Sequence, residues 1–146
     1  MKFLKPKFWE SKNNIPVILL RPISFLFHLI TILRKSFVSA KKFKIPIICV
    51  GNIYVGGTGK TPIAIMIANN LKTNKKNPVI IKKYYKNHKD EHRIIDEMTN
   101  CLILDKNRVQ AIEKAEGENF DIAILDDGFQ DYTIKKNLNI ICFNDK

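Results

Sequence analysis

The stretch GNIYVGGTGKTP, residues 51–62, places closely spaced glycines directly before a Lys-Thr pair. Glycines allow successive backbone N–H groups to turn inward around an anion, and a lysine adds a positive charge for terminal phosphates. The threonine hydroxyl is a ligand for Mg²⁺. The usual phosphate loop has a further glycine where this chain has Tyr54, so the loop is a variant. The predicted nucleotide-binding residues are Tyr54, Val55, Gly56, Gly57, Thr58, Gly59, Lys60 and Thr61.

A second candidate for chemistry is the run DIAILDDGFQ, in which apolar residues lead directly into Asp126 and Asp127. At the carboxyl end of a parallel strand, Asp126 would face the same crevice as Lys60 and Thr61. Adjacent carboxylates cannot point the same way from an extended strand, so it stays open which of them binds a metal directly. We predict Thr61, Asp126 and Asp127 as Mg²⁺ ligands beside ATP. A solvent-exposed acidic strand end is the weaker alternative.

Short apolar runs alternate with helical patterns after residue 44. The alternation predicts an α/β fold, a doubly wound domain of the phosphate-loop NTPase type with a mostly parallel sheet. Residues 60–71 are apolar on nearly all sides, which predicts a buried helix, and residues 82–89 suggest a basic loop. The predicted strands are 45–50, 78–81, 101–104, 122–125 and 139–143, and the predicted helices are 60–71, 90–98 and 106–115.

Positive charge is concentrated at the beginning of the chain. The net charge is +11 over 146 residues, and residues 1–44 carry ten Lys or Arg against one acidic residue. Residues 15–33 are apolar but interrupted by Arg21, Pro22 and His28, and no cleavage site for a signal peptide follows. We predict a helical segment that lies in an anionic membrane interface. The predicted domains are thus a membrane-associating segment, 1–44, and a nucleotide-binding domain, 45–146. A helix packed on the rest of the protein is the alternative.

Other classes of function fit the composition less well. Cys49, Cys101 and Cys142 lie far apart in apolar runs without CxxC spacing, which favours buried thiols over disulfides or zinc. The basic block alternates with aliphatic runs rather than with stacking aromatic residues, so we expect no nucleic-acid partner. No obligate protein partner is evident from the sequence.

Together, GNIYVGGTGKTP and LDDGFQ resemble the tetraacyldisaccharide 4′-kinases, the lipid A 4′-kinases of Gram-negative bacteria, from about residue 15 onward. The resemblance implies transfer of the γ-phosphate of ATP to the 4′-hydroxyl of a tetraacyldisaccharide 1-phosphate. The product would be lipid IVA, made during lipid A biosynthesis at the cytoplasmic face of the inner membrane. The resemblance also implies Asp90 as the general base, for which an acidic residue at a helix N-terminus is the alternative, and Arg108 matches an arginine of the family. From their own motifs, Lys60 and Asp127 are predicted as further catalytic residues.

The chain also departs from this family. It has KKYYK at residues 82–86, where the family usually has an Arg-Gly-Tyr-Gly loop. The family continues for a comparable length beyond the fifth strand, so we expect this chain to be an N-terminal part without the C-terminal lobe. The alternative function is a membrane-associated ATPase switch of the partitioning or targeting type. That class carries a lysine before its glycine pair, where this chain has Val55.

Overall fold

The structure is a computed structural model that describes residues 15–52, 58–85 and 89–143. The chain divides into two compact units, one ending at Ser39 and one beginning at Ala40. The first unit contains a single described helix, α1 (Ile15–Phe37), in which Pro22 lies inside the helix. Within the described ranges, no helix is both long enough and apolar enough to cross a membrane. A membrane-interface role for this segment therefore stays a prediction.

The second unit is built on one parallel sheet. Its strands lie in the order β3-β2-β4-β1-β5, and each neighbouring pair is parallel. The strands are β1 (Ile47–Asn52), β2 (Pro78–Lys83), β3 (Leu102–Asp105), β4 (Ile122–Asp126) and β5 (Leu138–Cys142). Parallel strands all end at the same edge of the sheet, so the carboxyl ends of β1, β2 and β4 lie at one edge.

Helices cover both faces of this sheet, because successive side chains of a strand point to opposite sides. The helices are α2 (Lys60–Thr73), α3 (Lys89–Thr99) and α4 (Arg108–Gly117). In β2, Val79 and Ile81 pack in one cluster with Ala111 of α4. Ile80 packs in the opposite cluster with Ala64 of α2. The two buried layers have the organisation of a doubly wound fold, and the predicted mostly parallel α/β sheet is confirmed.

Two local predictions are wrong. The expected basic loop begins too early, because Lys82 and Lys83 continue β2 and pair with Leu104 and Asp105 of β3. The helix α2 is buried on one side only, since Met66 is 62 % exposed. An apolar residue type does not by itself determine burial, because a helix that packs on a sheet covers only the face that it turns toward the strands.

The basic residues just before β1 belong to the second unit. Lys41 forms a parallel β-bridge with Ile134, and its ammonium pairs with Glu113 of α4. The Ile45 N–H donates to Glu116 Oε1 at 3.3 Å. These contacts attach residues 40–45 to the α/β unit, although the sequence pattern groups most of them with the N-terminal basic segment.

Candidate functional site

The beginning of α2 is arranged as an anion-binding helix terminus. Gly59 is the N-cap residue and has a φ of 76°, a left-handed conformation that glycine adopts without strain. No side chain in the described part of the chain caps this terminus. The first N–H groups of a helix have no partner within the helix, so those of α2 can bind an anion.

The first turn of α2 contacts the acidic end of β4. The Thr61 hydroxyl lies 2.9 Å from Asp126 Oδ2, and both side chains belong to the predicted phosphate and metal site. Asp126 is 1 % exposed and is the last residue of β4. The expectation that the two motifs meet at one sheet edge therefore matches the geometry, which brings a hydroxyl and a carboxylate into hydrogen-bond distance.

The two adjacent carboxylates diverge because the backbone turns between them. Asp127 has a φ of 65°, in the left-handed region that aspartate tolerates better than most residues. Its N–H donates to the Val50 carbonyl at 2.8 Å, and its carbonyl accepts from the Arg108 guanidinium. Asp126 is thus buried against α2 whereas Asp127 is exposed at the rim of the site.

Close packing joins the end of β1 to the acidic turn. A Cβ atom on Gly51 would lie 2.7 Å from the Phe129 ring, a distance at which one of the two would have to move. A Cβ atom on Gly128 would lie 3.1 Å from the Leu125 side chain and 3.2 Å from Cys49 Sγ. Glycines at these positions let the turn after β4 lie directly against β1.

These elements surround a cleft of about 420 Å³ at the carboxyl edge of the sheet. Six predicted site residues line it: Thr58, Gly59, Lys60, Thr61, Asp126 and Asp127. Six further residues line the same cleft: Pro62, Lys82, Lys83, Tyr85, Glu91 and Arg108. The cleft joins the helix terminus, three carboxylates and several cationic side chains, which is a suitable environment for a polyphosphate and its counter-ions.

The remaining predicted site residues differ in where they lie. Four of the predicted nucleotide-binding residues lie outside the described residues: Tyr54, Val55, Gly56 and Gly57. Asp90, the predicted base, is exposed in the first turn of α3, and Glu91 beside it is the residue that lines the cleft. Glu91 Oε1 lies 3.2 Å from the Thr61 hydroxyl. The assignment of Asp90 as the base stays a prediction.

Sequence reasoning missed Lys82 as a site residue. Its side chain is almost fully buried, and its ammonium pairs with Asp126 and lies 3.3 Å from Glu91 Oε2. The alternation of side chains along strand β2 could have identified Lys82. Lys82 follows Ile80 by two residues, as Asp126 follows Ile124, so both side chains continue the face that α2 covers.

The oxygen atoms at this edge fit a hard divalent cation. Asp126 Oδ1 is buried without a hydrogen-bond partner in the described structure, beside the Thr61 hydroxyl. The described ranges contain no cluster of three or more His, Cys, Asp or Glu side chains that could hold a metal. Mg²⁺ is commonly bound by one or two protein oxygen ligands together with substrate phosphates, so Thr61 and Asp126 suffice if a nucleotide supplies the rest.

The cysteines near the site are unsuited to nucleophilic chemistry. Burial raises the pKa of the Cys49 thiol, which lies against Gly128 behind the acidic turn. Burial also raises the pKa of the Cys142 thiol at the end of β5. Since the thiolate is the reactive form, both remain neutral thiols near pH 7. The groups of the cleft that can take part in a reaction near pH 7 are therefore its hydroxyl, carboxylate and cationic groups.

Comparison with known proteins identifies the family of this chain. Residues 16–146 match the family model described as tetraacyldisaccharide-1-P 4′-kinase. The tetraacyldisaccharide 4′-kinase of Pelagibacter ubique is 45 % identical over 148 residues, which cover 99 % of this chain and 46 % of the relative. The enzyme of the same name from Rickettsia bellii is 35 % identical, with 97 % and 48 % covered.

A crystal structure of LpxK from Aquifex aeolicus in complex with ATP superimposes with a TM-score of 0.68 and 28 % identity. The match covers 84 % of this chain and 47 % of that protein. The chain thus spans about half the length of the relatives that it matches. With a family model that matches nearly all of its residues and a cleft built from the two motifs, the chain belongs to the tetraacyldisaccharide-1-P 4′-kinase family.

Proposed function

We propose that this protein transfers the γ-phosphate of ATP to the 4′-hydroxyl of a tetraacyldisaccharide 1-phosphate, giving lipid IVA for lipid A biosynthesis. The observation that carries the proposal is the contact between Thr61 and Asp126, 2.9 Å apart, in a cleft at the carboxyl edge of the sheet. It joins the phosphate loop to the acidic strand end in a member of a kinase family. The related Aquifex structure was determined with ATP, which supports ATP as the phosphate donor.

The residues of the cleft have different roles in the proposed phosphoryl transfer. The N–H groups around Gly59 and the Lys60 ammonium would bind the β- and γ-phosphates of ATP. Thr61 and Asp126 would hold Mg²⁺, with Asp127 at the rim to support the metal or the substrate. The bound Mg²⁺ would neutralise charge that develops on the phosphate oxygens. In the reaction the bond from the γ-phosphorus to the ADP oxygen breaks, and a bond to the 4′-oxygen forms.

The proton of the 4′-hydroxyl must go to a base, and we assign that role to Asp90. Glu91 is the less suitable member of the pair, because its oxygen atoms already lie near the Thr61 hydroxyl and the Lys82 ammonium. Asp90 is exposed one residue earlier, so its carboxylate is accessible to a large acceptor. The variants Asp90→Asn and Glu91→Gln separate the two. We expect the first to lower kcat strongly and the second to change the Mg²⁺ requirement instead.

A lipid acceptor requires a site at a membrane, and we assign that contact to the N-terminal segment. Residues 1–44 carry ten basic side chains and one acidic, and apolar side chains of α1 such as Phe25 and Phe27 are exposed. We infer a peripheral location at the cytoplasmic face of the inner membrane, where basic side chains meet lipid phosphates. The test is flotation of residues 1–44 with anionic liposomes. Failure to float at any salt concentration would contradict this part of the proposal.

The decisive assay is ATP-dependent phosphorylation of the tetraacyldisaccharide 1-phosphate in detergent by the full-length gene product. Lys60→Ala and Asp126→Ala should remove the phosphorylated lipid, because they remove a phosphate ligand and a metal ligand. Lys76→Ala is the matched control, since Lys76 is exposed in the turn between α2 and β2. Steady ATP hydrolysis without a phosphorylated lipid would contradict the kinase proposal and would favour the membrane-associated ATPase switch.

A further inference from the structure

Lys82 is a buried cation at the metal-binding end of the cleft. It is 8 % exposed and is the Cα partner of Asp126 in the parallel pairing of β2 with β4. Its ammonium donates to Asp126 Oδ2, and it lies 3.3 Å from Glu91 Oε2 and 3.4 Å from the Thr61 hydroxyl. All three of its neighbours are oxygen atoms that line the cleft.

A buried ammonium is stable only when oxygen atoms compensate its charge, and Asp126 is the group that does so here. The same carboxylate, with Thr61, forms the metal site of the proposed function. A divalent cation at these oxygen atoms and the Lys82 ammonium would repel each other strongly at such short range. A metal on Asp126 Oδ1, the oxygen without a partner, would lie close to the ammonium on Oδ2, so the binding of either cation weakens the pairing of the other with this carboxylate.

We propose that Lys82 is an internal counter-ion which neutralises Asp126 before the metal arrives and gives up this carboxylate when Mg²⁺ binds with the nucleotide. The inference rests on the proposed function, because it takes Thr61 and Asp126 as the metal ligands. A lysine is suited to the exchange, since its ammonium is a mobile point charge on a flexible four-carbon stem. The Glu91 carboxylate lies within reach of the same ammonium. Lys82 can therefore remain paired with Glu91 after it has left Asp126.

The exchange lowers the apparent affinity for the metal. Molecules in which Lys82 has left Asp126 bind Mg²⁺ more tightly than those in which it stays, so the observed dissociation constant rises as the first kind becomes scarcer. Lys82 thereby sets the Mg²⁺ concentration at which half of the sites are occupied. Lys60 is different, because in the proposed function it binds phosphate directly. Removal of Lys60 would therefore weaken the binding of the metal–nucleotide complex, whereas removal of Lys82 would strengthen it.

The test is a Mg²⁺ titration of the full-length protein with N-methylanthraniloyl-ADP, in which fluorescence reports formation of the ternary complex. Lys82→Met removes the charge and keeps much of the stem, and its Mg²⁺ midpoint should fall by about tenfold. Lys82→Arg keeps a positive charge on a fork that pairs more rigidly with a carboxylate, so its midpoint should not fall below that of the wild type. Lys76→Met is the control for loss of an exposed lysine and should not move the midpoint.

Thermal melts provide the second measurement. Lys82→Met leaves Asp126 without its counter-ion, so it should melt earlier than the wild type in EDTA and gain more from added Mg²⁺ and ADP. A variant that shows no cooperative melt even with Mg²⁺ and ADP would overturn the proposal, since the metal could not then replace the lysine.

The outcomes separate this inference from the proposed function. A Lys82→Met midpoint that is unchanged or higher overturns the counter-ion role, while the wild-type titration still supports a metal–nucleotide site. If Mg²⁺ does not affect nucleotide fluorescence in the wild type, the metal site itself fails and the inference falls with it.

Discussion

Strands β4 and β5 lie on either side of β1, and their sequences, IAILD and LNIIC, are similarly apolar. Their surroundings are very different. Every residue of β4 after Ile122 is buried, because a strand in the middle of the sheet has a helix on each face. In β5 at the sheet edge, Leu138 and Ile141 are 51 % and 48 % exposed. An apolar run thus predicts a strand well, whereas its burial depends on what covers it.

The difference is greatest at the carboxyl ends of these strands. β4 ends in Asp126, which contacts the phosphate loop and Lys82, whereas β5 ends in the buried thiol of Cys142. Strand β4 therefore contributes both to the buried core and to the candidate site. Four predictions test this contrast.

The largest effect is expected for removal of the charge at the end of β4. Asp126→Asn keeps the size of the side chain but removes the charge of the proposed metal ligand, and we expect kcat of the proposed lipid phosphorylation to fall by about a thousandfold. Asn139→Ala, at an exposed position of β5, is the matched variant and should retain wild-type kcat. The measurement is the lipid phosphorylation assay at saturating ATP. Equal activity of the two variants would contradict the contrast between the strands.

The second prediction concerns packing. Ile124 is fully buried in β4, so Ile124→Ala should lower the free energy of unfolding by about 3 kcal/mol. Ile141 is 48 % exposed in β5, and Ile141→Ala should lower it by less than about 1 kcal/mol. Urea denaturation followed by circular dichroism gives both values. A loss at Ile141 as large as that at Ile124 would show that the edge strand is covered in solution.

The third prediction concerns the attachment of the edge strand. The Ile47 N–H donates to Asn137 Oδ1 at 2.9 Å, just before β5 begins. Asn137→Ala should lower the free energy of unfolding by about 1 kcal/mol, because it leaves the N–H of a buried residue without its acceptor. Asn137→Asp retains an acceptor oxygen and should lose less. If the two variants are equally stable, this hydrogen bond does not contribute.

The smallest effect is expected for thiol reactivity. Burial raises the pKa of both Cys49 and Cys142, so little thiolate forms near pH 7 and both should react slowly with a disulfide reagent. Cys142, on the edge strand, should react before Cys49, which is fully buried in β1. Rates followed on Cys49→Ala and Cys142→Ala variants assign each thiol. A fast reaction of Cys49 would mean that the centre of the sheet opens readily.

Much of this fold follows from periodicity in the sequence. Apolar runs of strand length that alternate with helical patterns predict the parallel sheet, and the position of Asp126 after such a run predicts its closeness to Thr61. The order of the strands is not contained in these local patterns, because it depends on how the connections cross. The exposure of Leu138 could not be foreseen for the same reason, since an apolar side chain gives no information about which strand lies at the edge.

The site was less predictable than the fold. Lys82 lies in a run of basic and aromatic residues that has the composition of a solvated loop. Its spacing from Ile80 indicates the face on which it lies, but its pairing with Asp126 depends on the register of β2 with β4. The choice between Asp90 and Glu91 depends on where α3 begins, since a helix turns by about 100° per residue. Local composition cannot fix a helix boundary to a single residue.

The contact between Gly51 and the Phe129 ring has a consequence for how this sequence can change. A side chain at residue 51 would meet the ring at 2.7 Å, so the glycine can be replaced only if the aromatic residue becomes smaller or moves. The two residues belong to different motifs that are far apart in the chain. For this pair of positions the constraint runs in one direction: a side chain at residue 51 requires a smaller residue at 129 or a shift of the ring, whereas a smaller residue at 129 leaves Gly51 free to remain.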